Sequence, residues 1–311
     1  MERAVVIANP VASQFTGGSH RDVMSEISKS HDVEALWPSS AHEATENAAA
    51  AAADGVGVVV AMGGDGMVHH VAQGLVGTDA TLGIVPAGTT NVVARLFGVP
   101  SRQSRAARLI GRGPRPVSVG TAKMTLTRGE TVTEHHAVFA CGFGLDAEVV
   151  RVADSDPYRK YRFGSIHYAR SALGVGLKDY PSVKPHVRFT AGVHEMLATT
   201  ALVQFREVYT YFGKISLRFG DDAPEPMSVL VLDRLKRRRI PNIFFSALTH
   251  RDLDQIEGFE VWRDVKRLDL SADPDVAVQA DGENLGSVDG GTVEWEPDSL
   301  KVIVGPKSSS G

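Results

Sequence analysis

The feature of this sequence that most constrains its fold is a glycine turn between an apolar run and a helical segment. Residues 56–62 are apolar and largely β-branched, Gly63-Gly64-Asp65-Gly66 follow directly, and residues 67–72 have a helical pattern. This order predicts a buried parallel strand, a tight turn and a helix whose free N–H groups can bind an anion. Because the Asp65 carboxylate would repel a bare phosphate, a divalent cation or a ligand hydroxyl is expected between them. The turn is therefore predicted to be a nucleotide-phosphate loop with an associated metal.

A second loop of the same kind follows the next predicted strand. Residues 80–85 are apolar and lead into Pro86-Ala87-Gly88-Thr89-Thr90-Asn91. Upstream, a first strand over residues 3–8 ends at Asn9-Pro10, and strands and helices then alternate. This alternation predicts an open parallel α/β sheet, in which loops at the carboxyl ends of the strands line the ligand crevice. The two loops are therefore expected to converge on one site.

The chain is predicted to contain two domains. Its 311 residues suffice for two cores. Residues 1–115 fit the α/β nucleotide-binding domain, whereas residues 116–305 contain mainly short alternating runs typical of an antiparallel, sandwich-like β domain. A helical insertion is predicted over residues 158–177, the last strand is free to return to the first domain, and residues 306–311 are expected to form a disordered tail.

Composition restricts the location and partners of the chain. A net charge of -4 gives no reason to expect nucleic acid. Cys141 is the single cysteine, and neither a signal peptide nor a membrane-spanning stretch is recognisable, so a cytoplasmic location is expected. Two basic regions, residues 151–188 and 234–239, lie near aromatic residues and suggest peripheral contact with an anionic membrane surface at its inner face. A solvated charged surface is the alternative.

Five motifs in order make the chain resemble the diacylglycerol kinase-like lipid kinases, a family that includes bacterial lipid kinases and the sphingosine and ceramide kinases. Three of them are Asn9-Pro10 and the two glycine loops already described. The others are the Gly142-Phe143-Gly144-Leu145-Asp146-Ala147 segment and the late Asp281-Gly282-Glu283. The resemblance covers nearly the whole chain.

This resemblance implies ATP and Mg²⁺ as cofactors and a lipid hydroxyl as phosphoryl acceptor. Asp281 would be the general base, with Glu283 beside it, and Asp146 would lie on the substrate side. Asp65 would also face the magnesium. The residues that would surround the nucleotide are Asn9, Ser39, Gly63, Gly64, Asp65, Gly66, Gly88, Thr89 and Asn91.

Departures from the family pattern keep other functions open. Met67 stands where a threonine is usual, His70 near a usual glutamate, and Thr90 where a glycine is usual. A catalytically weak or inactive nucleotide- or lipid-binding relative is one alternative. A kinase of a soluble substrate is another, since NAD kinases and phosphofructokinases share the Gly-Gly-Asp-Gly turn. The sequence identifies neither the lipid nor the oligomeric state, a homodimer included.

Overall fold

The computed structural model describes residues 1–113, 116–154, 180–212, 215–217, 226–239 and 256–306. The helix predicted over residues 158–177, the apolar run at 240–245 and the predicted tail beyond Pro306 lie outside the described residues. The chain divides into two compact units. Unit 1 comprises residues 1–121 and 297–311, and unit 2 comprises residues 122–296. The sequence placed the boundary near residue 115.

Unit 1 alternates strands and helices. Its elements are β1 (Glu2–Ala8), α1 (Gly17–Ile27), β2 (His31–Leu36), α2 (Ala41–Ala53), β3 (Val58–Gly63), α3 (Asp65–Leu75), β4 (Thr81–Pro86), α4 (Val92–Leu96), α5 (Gln103–Gly111) and the start of β5 (Val117–Arg128). The last strand, β16 (Glu283–Val302), begins in unit 2 and ends in unit 1. There Lys301 and Val302 pair in parallel with Thr81 and Leu82 of β4.

The parallel sheet of unit 1 has the order β16, β4, β3, β1, β2. β3 and β4 are buried along their whole length, which explains their continuous apolar sequences. The alanine-rich α2 packs closely on α3. A Cβ at Gly74 of α3 would lie only 2.8 Å from the Cβ of Ala48, so the glycine permits this approach. The registers place Leu36, Ile7 and Ala61 in one row, and Gly63 beside Pro86. The carboxyl ends of four neighbouring strands thus lie along one edge.

Unit 2 is mainly antiparallel. Its described elements include the helix α6 (Leu145–Asp154) and the strands β6 (Thr131–Ala137), β7 (Ala140–Phe143), β8 (Val187–Ala191), β9 (His194–Ala198), β10 (Thr200–Gln204), β11 (Thr210–Phe212), β12 (Ile215–Leu217), β13 (Ser228–Leu232), β14 (Phe259–Trp262) and β15 (Arg267–Ala280). The main sheet runs β14, β13, β10, β7, β15, β16. Its core contains Phe143, Phe189, Phe205 and Trp262. The predicted fold class, a parallel α/β domain followed by a mainly antiparallel β domain, is confirmed.

Candidate functional site

The two glycine loops of unit 1 meet backbone to backbone. A Cβ added to Gly88 would lie 2.6 Å from the Cα of Gly64, and one added to Gly63 would lie 2.5 Å from the Cβ of Met67. A side chain at Gly88 would therefore force the two loops apart, and one at Gly63 would displace Met67. The convergence expected from the sequence is present within unit 1. The close approach of the two backbones occurs at Gly88.

Asn91 holds the second loop in its turn. Its Oδ1 accepts a hydrogen bond from the Gly88 N–H at 3.0 Å, and its Nδ2 donates to the Gly88 carbonyl at 2.7 Å. Asn91 has a φ of 48°, in the left-handed region that asparagine tolerates better than most residues. The Asn91 side chain, which is predicted to contact the nucleotide, thus holds the conformation of the loop.

Asp65 has a structural contact that sequence reasoning did not identify. Its Oδ1 accepts a hydrogen bond from the Val93 N–H at 3.0 Å, so it caps the N-terminal turn of α4 and joins the two loops. Gly64 is the N-cap residue of α3 and provides no side-chain cap. The N–H groups of its first turn therefore lie beside the second loop without a capping side chain, an arrangement suited to a phosphate.

The loop after β1 is attached to the same place. The Asn9 N–H donates to the Met62 carbonyl at 2.9 Å, and its Oδ1 accepts from the Val11 N–H. Further along, Gln14 donates its N–H to the Ala87 carbonyl at 2.8 Å, and the hydroxyls of Ser13 and Thr89 lie 3.1 Å apart. Asn9, Gly64 and Gly88 thus belong to one local cluster at the sheet edge.

Ser39 has a helix-capping environment beyond the end of β2. Its N–H and hydroxyl both donate to the Glu43 carboxylate at 2.6 Å, while Ser40 caps α2 through the Glu43 N–H. These bonds lower the pKa of Glu43. A nucleotide contact by Ser39 stays a prediction.

Amides and hydroxyls of the glycine loops can accommodate phosphate oxygens. In the ranges that the structure describes, no group of three or more His, Cys, Asp or Glu side chains could hold a metal ion. The magnesium contact of Asp65 stays a prediction.

Asp281 forms a buried anchor in unit 2. It occupies the two-residue β15–β16 hairpin with Gly282, and both have positive φ, 52° and 85°. The side chain is 4 % exposed. Its Oδ2 accepts from the Val138 N–H at 2.8 Å, and its Oδ1 accepts from Phe139 at 2.9 Å and Ala140 at 3.3 Å. The predicted general base therefore also ties the hairpin to the segment before β7.

Asp146 lies in a hydrogen-bonded cluster with Tyr209 and Gln279. The Tyr209 hydroxyl and the Gln279 amide both donate to its Oδ2, the latter at 2.6 Å. Gln279 also accepts from the Gly282 N–H at 2.8 Å, which connects the cluster to the Asp281 turn. The absence of a side chain at Gly142 leaves space for the Asp146 carboxylate, since a Cβ at position 142 would lie 2.6 Å from it.

Burial governs the charges in this cluster. It raises the pKa of Asp146, against the opposing effect of the two hydrogen bonds. Burial, and then the negative charge of Asp146, raises the pKa of Tyr209 well above its usual range. Burial likewise raises the pKa of Cys141, which fits the expectation of a packed core residue. Asp146 is thus an internal partner of the hairpin turn, and a direct substrate contact stays a prediction.

Tyr209 and Gln279 are residues that sequence reasoning missed. Neither belongs to a motif, and they are brought to Asp146 only by the pairing of distant strands. Glu283 is partly buried at the start of β16. Its predicted role beside Asp281 rests on the motif alone.

The basic regions carry less unpaired charge than their sequences suggest. Four of their described members form ion pairs within unit 2: Arg151 with Glu148, Arg188 with Glu195, Lys236 with Glu257, and Arg239 with Glu257. No helix among the described residues is long and apolar enough to cross a membrane. Docking to an anionic membrane surface stays a prediction.

Comparisons with known proteins show the similarity of this chain in sequence and fold. Residues 3–122 match the diacylglycerol kinase catalytic domain family. A diacylglycerol kinase of Mycobacterium tuberculosis is 47% identical over 76 residues, 24% of this chain. That alignment spans 25%, about a quarter, of the relative's length.

Solved structures extend the likeness of fold to nearly the whole chain. A diacylglycerol kinase from Bacillus anthracis has a TM-score of 0.69 at 19% identity, covering 98% of this chain and 97% of that one. Yeast NADH kinase, solved with NADH, has a TM-score of 0.50 at 10% identity, covering 99% and 84%. These identities are informative about fold only. The family match thus covers residues 3–122, and the five ordered motifs resemble those of the diacylglycerol kinase-like family.

Proposed function

We propose that the chain is an ATP-dependent lipid kinase that transfers the γ-phosphoryl group to a hydroxyl of diacylglycerol or a related lipid. The observation that carries this proposal is the backbone contact of Gly64 with Gly88 beside the uncapped first turn of α3. Such a cradle binds phosphates through N–H groups and a helix dipole, without the lysine of a P-loop. The family match of residues 3–122 supports the same reaction class.

Each group of residues has a distinct task in this proposal. ATP, when bound, would supply the phosphoryl group, and Mg²⁺ beside Asp65 would neutralise part of the phosphate charge. The first-turn amides of α3 and the loop shaped by Asn91 would orient the phosphates. Asp65 keeps these two parts in register through Val93. Asp281 would accept the proton of the lipid hydroxyl as that oxygen bonds to phosphorus and ADP leaves.

Acceptance of a proton by Asp281 must be compatible with its three backbone hydrogen bonds. The backbone N–H groups of Val138, Phe139 and Ala140 fix the orientation of the carboxylate. Gln279 would position the turn, since it accepts from the Gly282 N–H. Asp146 would hold Gln279 in place by accepting from its amide. Fixed orientation of the acceptor is the main contribution that phosphoryl transfer requires from such a residue.

Radiolabelled ATP tests the proposal against its alternatives. The full chain is incubated with [γ-³²P]ATP and Mg²⁺ and, separately, with micellar diacylglycerol, monoacylglycerol, sphingosine or ceramide, or with NAD or a sugar phosphate. Label in a chloroform-soluble product supports the proposal. Label only on a water-soluble acceptor would replace it with a soluble-substrate kinase, and ATP binding without any transfer would indicate the inactive relative.

A further inference from the structure

The carboxyl end of β2 carries an aromatic cluster that none of the five motifs includes. Trp37 follows Leu36 directly and is 46% exposed. The Phe15 ring meets it edge-on with centroids 5.7 Å apart, and the His20 ring lies at 4.5 Å. We infer that this aromatic cluster, Phe15, His20 and Trp37, is the nucleobase-binding platform of the nucleotide site. The inference rests on the proposed binding of ATP in unit 1.

Position along the sheet edge supports this assignment. The neighbouring strands run β4, β3, β1, β2, and the glycine loops follow β4 and β3. Adjacent strands lie about 4.8 Å apart, so the end of β2 is roughly 10 Å from the end of β3. An extended nucleoside triphosphate with its phosphates at Gly64 and Gly88 can span that distance past Asn9. Its base would then reach the end of β2.

The loop that carries Phe15 is attached to the phosphate cradle. Gln14, its neighbour, donates to the Ala87 carbonyl at 2.8 Å, and Ser13 lies within hydrogen-bond distance of Thr89. Binding of phosphate at the second glycine loop and contact with the aromatic cluster therefore involve one connected loop. A ligand that occupied both would stabilise it as a unit.

The chemistry of the cluster fits a neutral aromatic ring. Burial lowers the pKa of His20, which favours the uncharged imidazole. Among the described residues, its Nε2 is one of the few buried side-chain nitrogens without a hydrogen-bond partner. The exposed surface of Trp37 can stack on a base.

Binding measurements with matched ligands test the platform. MgATP and Mg-tripolyphosphate are titrated calorimetrically into wild type, Trp37→Ala, Trp37→Phe and the control Val117→Ala, which removes a similarly exposed side chain (44%) of unit 1. Trp37→Ala is expected to weaken ATP binding about tenfold, as loss of base stacking does, and to leave tripolyphosphate binding within about twofold. Trp37→Phe should retain most of the affinity, and Val117→Ala should behave as wild type.

Four outcomes would overturn the inference, and they differ in what they leave standing. ATP binding that is unaffected by Trp37→Ala overturns the platform and leaves the proposed kinase intact. Equal weakening of ATP and tripolyphosphate shows that Trp37 supports the loop and does not contact a base. Loss of vesicle binding by Trp37→Ala, with ATP affinity unchanged, would instead assign the cluster to a membrane surface. A wild-type chain that binds neither ligand overturns both proposals.

Discussion

Replacing Asp281 with asparagine separates its anchoring role from its proposed role as proton acceptor. Both carboxylate oxygens accept backbone N–H groups, Oδ2 from Val138 and Oδ1 from Phe139 and Ala140. An asparagine has only one acceptor oxygen, so its NH₂ group must point at one of these donors. Loss of a hydrogen bond to a charged group costs about 1.5–3 kcal/mol, and an unsatisfied buried N–H costs about 1–3 kcal/mol. We expect Asp281→Asn to destabilise unit 2 by about 3 kcal/mol.

For a unit of this size, such a loss lowers Tm by about 6–12 °C. Differential scanning calorimetry measures it, and the ATP assay with the wild type's preferred acceptor measures turnover in parallel. Asp289→Asn is the matched control, because Asp289 accepts from the Gly129 N–H and the Thr127 hydroxyl. An asparagine at position 289 can accept from the Gly129 N–H with its oxygen, and its NH₂ can donate to the Thr127 hydroxyl oxygen. Little change in Tm is therefore expected. An unchanged Tm for Asp281→Asn would refute the anchoring argument, and a low Tm with full turnover would refute the role of Asp281 as base.

Two further substitutions test the glycine loops and the buried cluster. Gly88→Ala should reduce ATP affinity at least tenfold in calorimetric titration, because its Cβ would lie 2.6 Å from the Gly64 Cα, whereas Gly17→Ala, with no atom within 4 Å, should leave affinity unchanged. Equal affinities for the two variants would contradict the close contact of the loops. Asp146→Asn should raise Tm at pH 7.5, because the raised pKa of Asp146 makes its ionised form unfavourable in the folded state, while asparagine can still accept from Tyr209 and Gln279. In the wild type, the stability that protonated Asp146 contributes is lost as pH rises through its folded-state pKa. The rise in Tm caused by Asp146→Asn should therefore shrink toward acid pH. A rise in Tm that is independent of pH would show that the charge of Asp146 is not its cause.

The sequence alone determined the elements whose signals are local. Continuous apolar runs identified β3 and β4, and glycines at their carboxyl ends identified two loops at one edge, because parallel strands expose those ends together. Asp281-Gly282 is a hairpin signal that needs only two adjacent residues, and it forms the β15–β16 turn. Motif order was sufficient to indicate the family.

Tertiary structure decided the roles of the side chains within those elements. Asp65 is bound to Val93, Asp281 to the amides of residues 138–140, and Asp146 to Tyr209 and Gln279. The bond between Asp65 and Val93 spans 28 positions of the sequence. Each of the other contacts spans between 63 and 143 positions. Hydrogen-bond partners depend on strand pairing and burial, which periodicity does not encode. The same limit hid the aromatic cluster at the end of β2, because Phe15, His20 and Trp37 become neighbours only when β1 and β2 pair in parallel.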